Sequence, residues 1–319
     1  MRIDVHAHYF APEYVDCLRR LGDPRAESRD AVPGGPPALD EQAQMLDAVG
    51  IDLQVLSVSL LQPYLPREAD AVEAARLSND IYADAARGHG GRFAAFGCVP
   101  LPHVDAALAE AARCLDTLGM LGITIGCSVA GQPLDAPAFE PFFAELDRRG
   151  AVLFLHPVGE GLVPERDPYG LSWMVGAPFE DTVAALQLVM SGLTLRHPRI
   201  RVIVPHLGGT LPFLLGRIEG ALGRRRARGG PVAFDGDSAP LFRKLWYDTV
   251  NAHRAALRCA CESFGVDRLL LGTDFPYMRD AQLQYLLDVP YEIGLSEAEV
   301  TALLGGTAQT LLGLPTRSA

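Results

Sequence analysis

The sequence predicts a (β/α)8 TIM barrel with surface insertions, a single domain over residues 1–319. Three observations carry that prediction. Strand-like runs of β-branched and apolar residues alternate with helix-like amphipathic stretches along almost the whole chain, the pattern of stacked βαβ units and a parallel sheet. The runs number eight. The first is followed by "HAHYFAPEY", which has no G-x-G-x-x-G, so the competing open doubly wound sheet lacks its dinucleotide turn.

Taken in order, "RIDVHA" near residue 4 ends among histidines spaced one residue apart, and a strand's period of two points both imidazoles to one side. "IDLQVLSVS" begins at 51, after an amphipathic stretch "LDEQAQMLDAVG" whose last glycine suits a left-handed helix cap. "RFAAFGCV" follows from 92 and "LGITIGC" from 121. "AVLFLH" from 151 succeeds "APAFEPFFAELDRRG", again closed by glycine. "IRVIVPH" from 200, "KLWYDTV" from 244 and "DRLLLGTD" from 267 complete the set. Two Pro-, Gly- and charge-rich stretches, 22–38 and 223–240, read as surface excursions, and "RRRAR" within the second reads as a solvated face.

Composition narrows the function. Hydrophobic content of 49% describes an ordinary globular chain, and a net charge of −11 argues against a nucleic-acid partner, which would demand a basic face. No apolar run reaches the roughly 18 to 20 residues that cross a bilayer, and the N-terminus lacks a basic then hydrophobic signal segment. These features predict a soluble, cytoplasmic protein with no membrane partner. The six cysteines include no C-x-x-C pair, and Cys259 and Cys261 fall two apart in the helical segment "RAALRCACESFG", where they point in different directions. They read as reduced packing residues.

In a barrel of this type chemistry sits on the loops after the strands. His6 and His8 end run one, His156 run five and His206 run six, while Asp248 ends run seven and Asp274 follows run eight. Singly, each has a bland reading: His156 as a hydrogen-bonded core histidine, Asp274 as a helix cap. Jointly, three imidazoles and a carboxylate aimed into one cavity would suffer large desolvation costs unless a positive species sat among them. A divalent metal meets that need. Neutral imidazoles and a carboxylate suit Zn2+ at about 2.0 to 2.2 Å, and Mn2+ or Fe2+ accept the same ligands. Such a set leaves a coordination position open for water or substrate, and "LGITIGCS" offers no lysine or glutamate to bridge a second ion, so one metal is expected. His89 and His197 precede strands, on the wrong end of the barrel; His103 reads as a loop residue, and His253 as a helix-start residue within reach of the mouth.

With H-x-H after strand one, "FLHP", "HLGGTLPFLLGR" and "LLLGTDFPY" at later strand ends, and "PYGLSWMVGAPFEDT" and "LWYDTV" between, the chain resembles the amidohydrolase-related metal-dependent decarboxylases. The likeness is to the aminocarboxymuconate semialdehyde and hydroxyaryl acid decarboxylases, and it covers nearly the whole chain. It implies that His6, His8, His156 and Asp274 bind the metal and that His206 is the acid–base residue beside it. It implies too that Trp173 lines the substrate site and that Arg217 reaches into a neighbouring subunit's site, hence a homodimer. The sequence departs from the muconate-type pattern in the helix before strand two, where Gln42 and Gln44 stand near the expected arginine, which predicts a substrate with one fewer carboxylate. Thr307 and Ala308 replace the usual "N-A" near the C-terminus.

The activity so implied is non-oxidative decarboxylation of a small aromatic or muconate-type carboxylic acid. Protonation of the carboxylate-bearing ring carbon by Asp274 or His206 would make a transient ring ketone, with Trp173 and Tyr277 walling the ring. Attack by a water that His206 deprotonates is a second route. Two other readings stand beside it: a mononuclear metal-dependent hydrolase of a lactone, ester or amide, and a binding or scaffolding barrel that keeps its metal as a structural plug.

Overall fold

The computed structural model describes residues 1–27, 38–159, 167, 169–230, 232–250, 253–279 and 281–315; most of the first predicted excursion lies outside them. Eight parallel strands neighbour one another in chain order: β1 Ile3–His8, β2 Leu53–Ser57, β3 Phe93–Cys98, β4 Gly122–Gly126, β5 Val152–His156, β6 Arg201–Val204, β7 Trp246–Asp248 and β8 Leu269–Leu270. Seven fall within the predicted runs, and β1 extends one residue past "RIDVHA" to His8. The sheet closes where the Val5 N–H donates to Leu271 O at 2.9 Å and the His8 N–H to Phe275 O at 2.7 Å. Helices lie between the strands, and two of them, Leu39–Val49 and Glu140–Arg149, end on the left-handed glycines Gly50 and Gly150 that their sequences predict. The result is a (β/α)8 barrel.

Its apolar interior divides in two. A large layer fills the space between strands and helices, and a smaller cluster, with Ile3, Val5, Val55, Phe96, Phe154 and Leu270 among its members, fills the barrel itself.

β1 does not keep a strict period of two. Asp4 pairs with Gln54 but Ala7 pairs with Leu56, three residues of β1 against two of β2, which is a β-bulge. Below it Ile3 and Val5 join the barrel interior while Asp4 lies on the outer side, its Oδ2 accepting from Gln54 Nε2 and Thr273 Oγ1, both at 2.6 Å. Above it His6 packs inward against Phe154, ring centroids 5.0 Å apart. Unbroken alternation would put His6 on the side of Asp4, away from the interior. The bulge aims the histidine.

The outer network also takes in Gln42. Gln42 donates through Nε2 to Gln54 Oε1 at 2.5 Å, and Gln44 is exposed on the same helix. Gln42 is therefore engaged behind the strands.

Candidate active site

The strand ends deliver the predicted residues to one mouth. His6 Nε2 lies 3.2 Å from His8 Nε2 and 3.2 Å from Asp274 Oδ1, and His8 Nε2 lies 2.9 Å from the same oxygen. The His156 ring stands 5.1 Å from that of His6 and 4.9 Å from that of His8, centroid to centroid. His206, in the turn after β6, brings Nε2 to 3.9 Å from Asp274 Oδ2. One donor atom each from His6, His156, His206 and Asp274 fits within a 4.8 Å span.

The far side of two of these rings is tied down. His6 Nδ1 donates to Asp248 Oδ2 at 2.7 Å, and His156 Nδ1 donates to the Pro157 carbonyl at 2.8 Å. A neutral imidazole that donates from one nitrogen has a bare lone pair on the other. His156 Nε2 is such an atom: it is buried and has no hydrogen-bond partner. An orphaned acceptor at this depth costs about 1–3 kcal/mol unless something electropositive meets it.

A divalent cation fits this arrangement. Donors held about 2.1 Å from a common ion at 90–110° are separated by roughly 3.0–3.4 Å. The triangle of His6 Nε2, His8 Nε2 and Asp274 Oδ1 has sides of 2.9 to 3.2 Å. There is also little room for a bridging group from β4: Gly126 pairs with His156, and a Cβ on it would stand 2.5 Å from Ser128 O and 2.6 Å from Val158 Cγ1.

The electrostatics agree. Burial works against charge on His6, yet the carboxylates of Asp248 and Asp274 lift its pKa to about 9, so the local field calls for positive charge. Burial holds His8 below its usual range, and burial with three neighbouring imidazoles holds His156 well below, keeping both in the neutral ligand form. Partial burial works against charge on Asp274 too, but His6 foremost among its imidazole neighbours keeps it ionised, well below the usual carboxylate range.

His206 occupies unusual backbone. It and Leu207 have φ of 53° and 57°, left-handed values that cost side-chain-bearing residues about 1–3 kcal/mol each. Asp248 helps hold the turn, since its Oδ1 accepts the His206 N–H at 2.8 Å while its Oδ2 serves His6. The ring of His206 is fixed by a residue that sequence reading passed over: Nδ1 donates to Asp181 Oδ2 at 2.8 Å, and Asp181 is fully buried. The signal was available. Asp181 lies with Ala177, Ala184, Ala185 and Leu188 on the buried face of the Ala177–Met190 helix, and an acid on a buried face needs a partner.

Of the other predicted residues, Trp173 is half-buried with its indole against Gly159, just after β5, and the Tyr277 ring stands 5.7 Å from that of His8. Arg217 is exposed on the Leu211–Ala227 helix with no hydrogen bond or ion pair to any described residue. His89, His103 and His197 bond to Ala85 O, Leu65 O and Glu140 Oε1, outside the cluster, and His253 is exposed at a helix start. Cys17, Cys98, Cys114 and Cys127 are buried and unpaired; Cys259 and Cys261 are half-buried in their helix. No helix of the described residues is long and apolar enough to cross a membrane.

Comparison with known proteins adds four findings. The profile of the amidohydrolase family matches residues 3–314. The chain is 32% identical over 283 residues to 2-amino-3-carboxymuconate-6-semialdehyde decarboxylase of Dictyostelium discoideum, covering 86% of this chain and 76% of that protein. It is 31% identical over 257 residues to gamma-resorcylate decarboxylase of Rhizobium sp., with 75% and 76% covered. Among solved structures, 2,6-dihydroxybenzoate decarboxylase complexed with 2,6-dihydroxybenzoate superposes with a TM-score of 0.82 at 25% identity, over 98% of this chain and 99% of the other.

Proposed function

This chain belongs to the amidohydrolase family, and from that premise we propose that it is a metal-dependent, non-oxidative decarboxylase of a small aromatic or muconate-type carboxylic acid. One observation carries the reading: the bare, buried Nε2 of His156 in a ring of imidazoles and one carboxylate, in a chain whose relatives are named decarboxylases. Those names favour carbon–carbon cleavage over hydrolysis.

His6, His8, His156 and Asp274 would hold the ion, and Zn2+ suits this donor set, with Mn2+ as the alternative that metal analysis decides. When bound, it supplies a positive centre for the substrate's carboxylate and an adjacent oxygen. The remaining work falls to the chain's own side chains. His206 and Asp274 are the least buried of the cluster, at 9% and 13% exposure, so they face the mouth, where His206 delivers the proton. With the hydroxyl of a hydroxyaryl acid entering as the phenolate, a C–H bond forms at the ring carbon bearing the carboxylate and the oxygen's electron pair makes the transient ring ketone. The bond to the carboxyl carbon then breaks, CO2 departs, and the electron pair left behind restores the ring. Trp173 and Tyr277 flank it.

The same reading includes a homodimer and a cytoplasmic setting. Phe213, 84% exposed, stands one helical turn from Arg217, and Met174 and Phe179 add exposed apolar surface around the Ala177–Met190 helix. Exposed apolar side chains of this kind beside an arginine that pairs with no described residue fit a second copy of the chain, into whose site Arg217 reaches. Six unpaired cysteines suit a reducing compartment.

The test is metal analysis together with CO2 release from a panel of hydroxybenzoates and aminocarboxymuconate semialdehyde. Release should cease on chelation and return with Zn2+ or Mn2+. Cleavage of esters, lactones or amides with no CO2 from any acid would overturn the proposal, as would full activity after exhaustive chelation.

A further inference from the structure

We infer that Asp181 is a positioning residue for His206: its carboxylate holds the ring by Nδ1–H and so aims Nε2 at the space beside Asp274. The inference deepens the proposed decarboxylase and rests on that reading for its kinetic consequence, while its structural content stands by itself.

The packing around Asp181 is built to bring it there. The Ala177–Met190 helix docks on the turn after β6 through Thr182, whose hydroxyl accepts the Thr210 N–H at 2.8 Å and donates to Pro178 O at 2.8 Å. Gly209 permits the approach: its φ is 64°, and a Cβ there would stand 1.8 Å from Pro178 O and 2.6 Å from Thr182 Oγ1. The helix therefore presses against the backbone of the turn, one residue from Asp181. On the other side the left-handed His206 is held by Asp248 at its backbone N–H. Main chain and ring are thus secured by two different carboxylates.

The geometry determines the proton's place. Asp181 Oδ2 is 2.8 Å from His206 Nδ1, and an ionised carboxylate only accepts, so Nδ1 must donate. Its other oxygen is engaged at 3.4 Å by the Cys127 thiol, which leaves the carboxylate little freedom to turn away. Nε2, 3.9 Å from Asp274 Oδ2, is then the atom that meets substrate. An amide at 181 could instead offer its NH2 to Nδ1 and would leave a protonated ring without its carboxylate, and the same acid-to-amide change beside another enzyme's histidine cost about 10⁴ in kcat.

The experiment has two arms on the zinc-loaded protein. Kinetically, Asp181→Asn should lower kcat by about 100-fold or more with KM within about twofold and zinc content unchanged. The double variant Asp181→Asn/His206→Ala should be no slower than His206→Ala alone, because both changes disable one unit. Asp181→Glu, which keeps the carboxylate, should recover part of the rate. Spectroscopically, 15N-histidine NMR, with the His206 signal identified by its loss in His206→Ala, should show a protonated Nδ1 in the unmodified protein and its loss in Asp181→Asn. A bare Nδ1 in the unmodified protein, or Asp181→Asn with undiminished kcat, overturns the inference. If no acid is decarboxylated by the unmodified enzyme, the functional reading fails, and the NMR arm still decides the inference.

Discussion

Asp248 Oδ2 lies 2.7 Å from His6 Nδ1, so a carboxylate orients the imidazole whose other nitrogen faces Asp274. A partner of this kind fixes the ring and raises its basicity toward a cation, and its loss typically weakens metal binding about 10- to 100-fold. Asp248→Asn, which keeps the shape, should lower Zn2+ affinity by that factor in competition against a chromogenic chelator while circular dichroism stays unchanged. Unaltered affinity would remove Asp248 from the metal's support.

The indole of Trp173 lies against Gly159, where φ is 77° and a Cβ would stand 3.1 Å from the ring. Gly159→Ala should push the indole off its seat. If Trp173 walls the substrate, an aromatic contact worth about 1 kcal/mol is lost and KM rises roughly fivefold or more, with kcat little changed. Steady-state kinetics with the best acid of the panel reads this directly, and an unchanged KM would take Trp173 out of the substrate wall.

Arg217 offers a test that separates its own site from a neighbour's. Sedimentation should give a mass near twice 34.3 kDa. Arg217→Ala and His206→Ala homodimers should each be nearly inactive, but co-expressed from two tagged copies they should recover about one quarter of full activity. Half of the dimers are then hybrids with one intact site, because an isologous pair exchanges the same contacts in both directions. No recovery in purified hybrids would place Arg217 in its own subunit's site or in none.

The thiols predict a pH-dependent labelling pattern. Burial pushes Cys98 up to about 12 and Cys261 to about 11, and holds Cys127 well above the usual thiol range. The thiolate is the reactive form, so its fraction grows only as pH rises toward the pKa. In the native protein at pH 8, Cys259 should be alkylated first, while Cys98 and Cys127 stay unlabelled until the fold opens. Peptide mass mapping after short iodoacetamide pulses checks this, and early labelling of Cys127 would show that its burial is transient.

How much of this was legible beforehand depends on the kind of order involved. Strand positions follow from local patterning: β-branched runs such as "AVLFLH" and "IRVIVPH" and the glycine caps at Gly50 and Gly150 are decided within a dozen residues. The gathering of His6, His8, His156 and Asp274 was legible too, because a parallel barrel carries every strand end to one face. Once the number of strands is read, convergence follows.

Other relationships are between elements, and periodicity within one element does not encode them. The alternation Ile3, Val5, Ala7 against Asp4, His6, His8 reads as one unbroken strand, yet the bulge between Asp4 and Ala7 sets His6 inward and leaves Asp4 outward, a choice made by pairing with β2. Gln42 turned out to serve Gln54. Asp181 gained its partner because Gly209 lets one helix press on a turn 28 residues further along the chain, as Thr182 and Thr210 record. The sequence by itself determined a barrel with a ring of imidazoles and carboxylates at its mouth, since local hydrophobic pattern and a fixed topology suffice for that. Tertiary structure alone decided which way each ring faces and which carboxylate holds it, because those depend on register and close packing between segments distant in the chain.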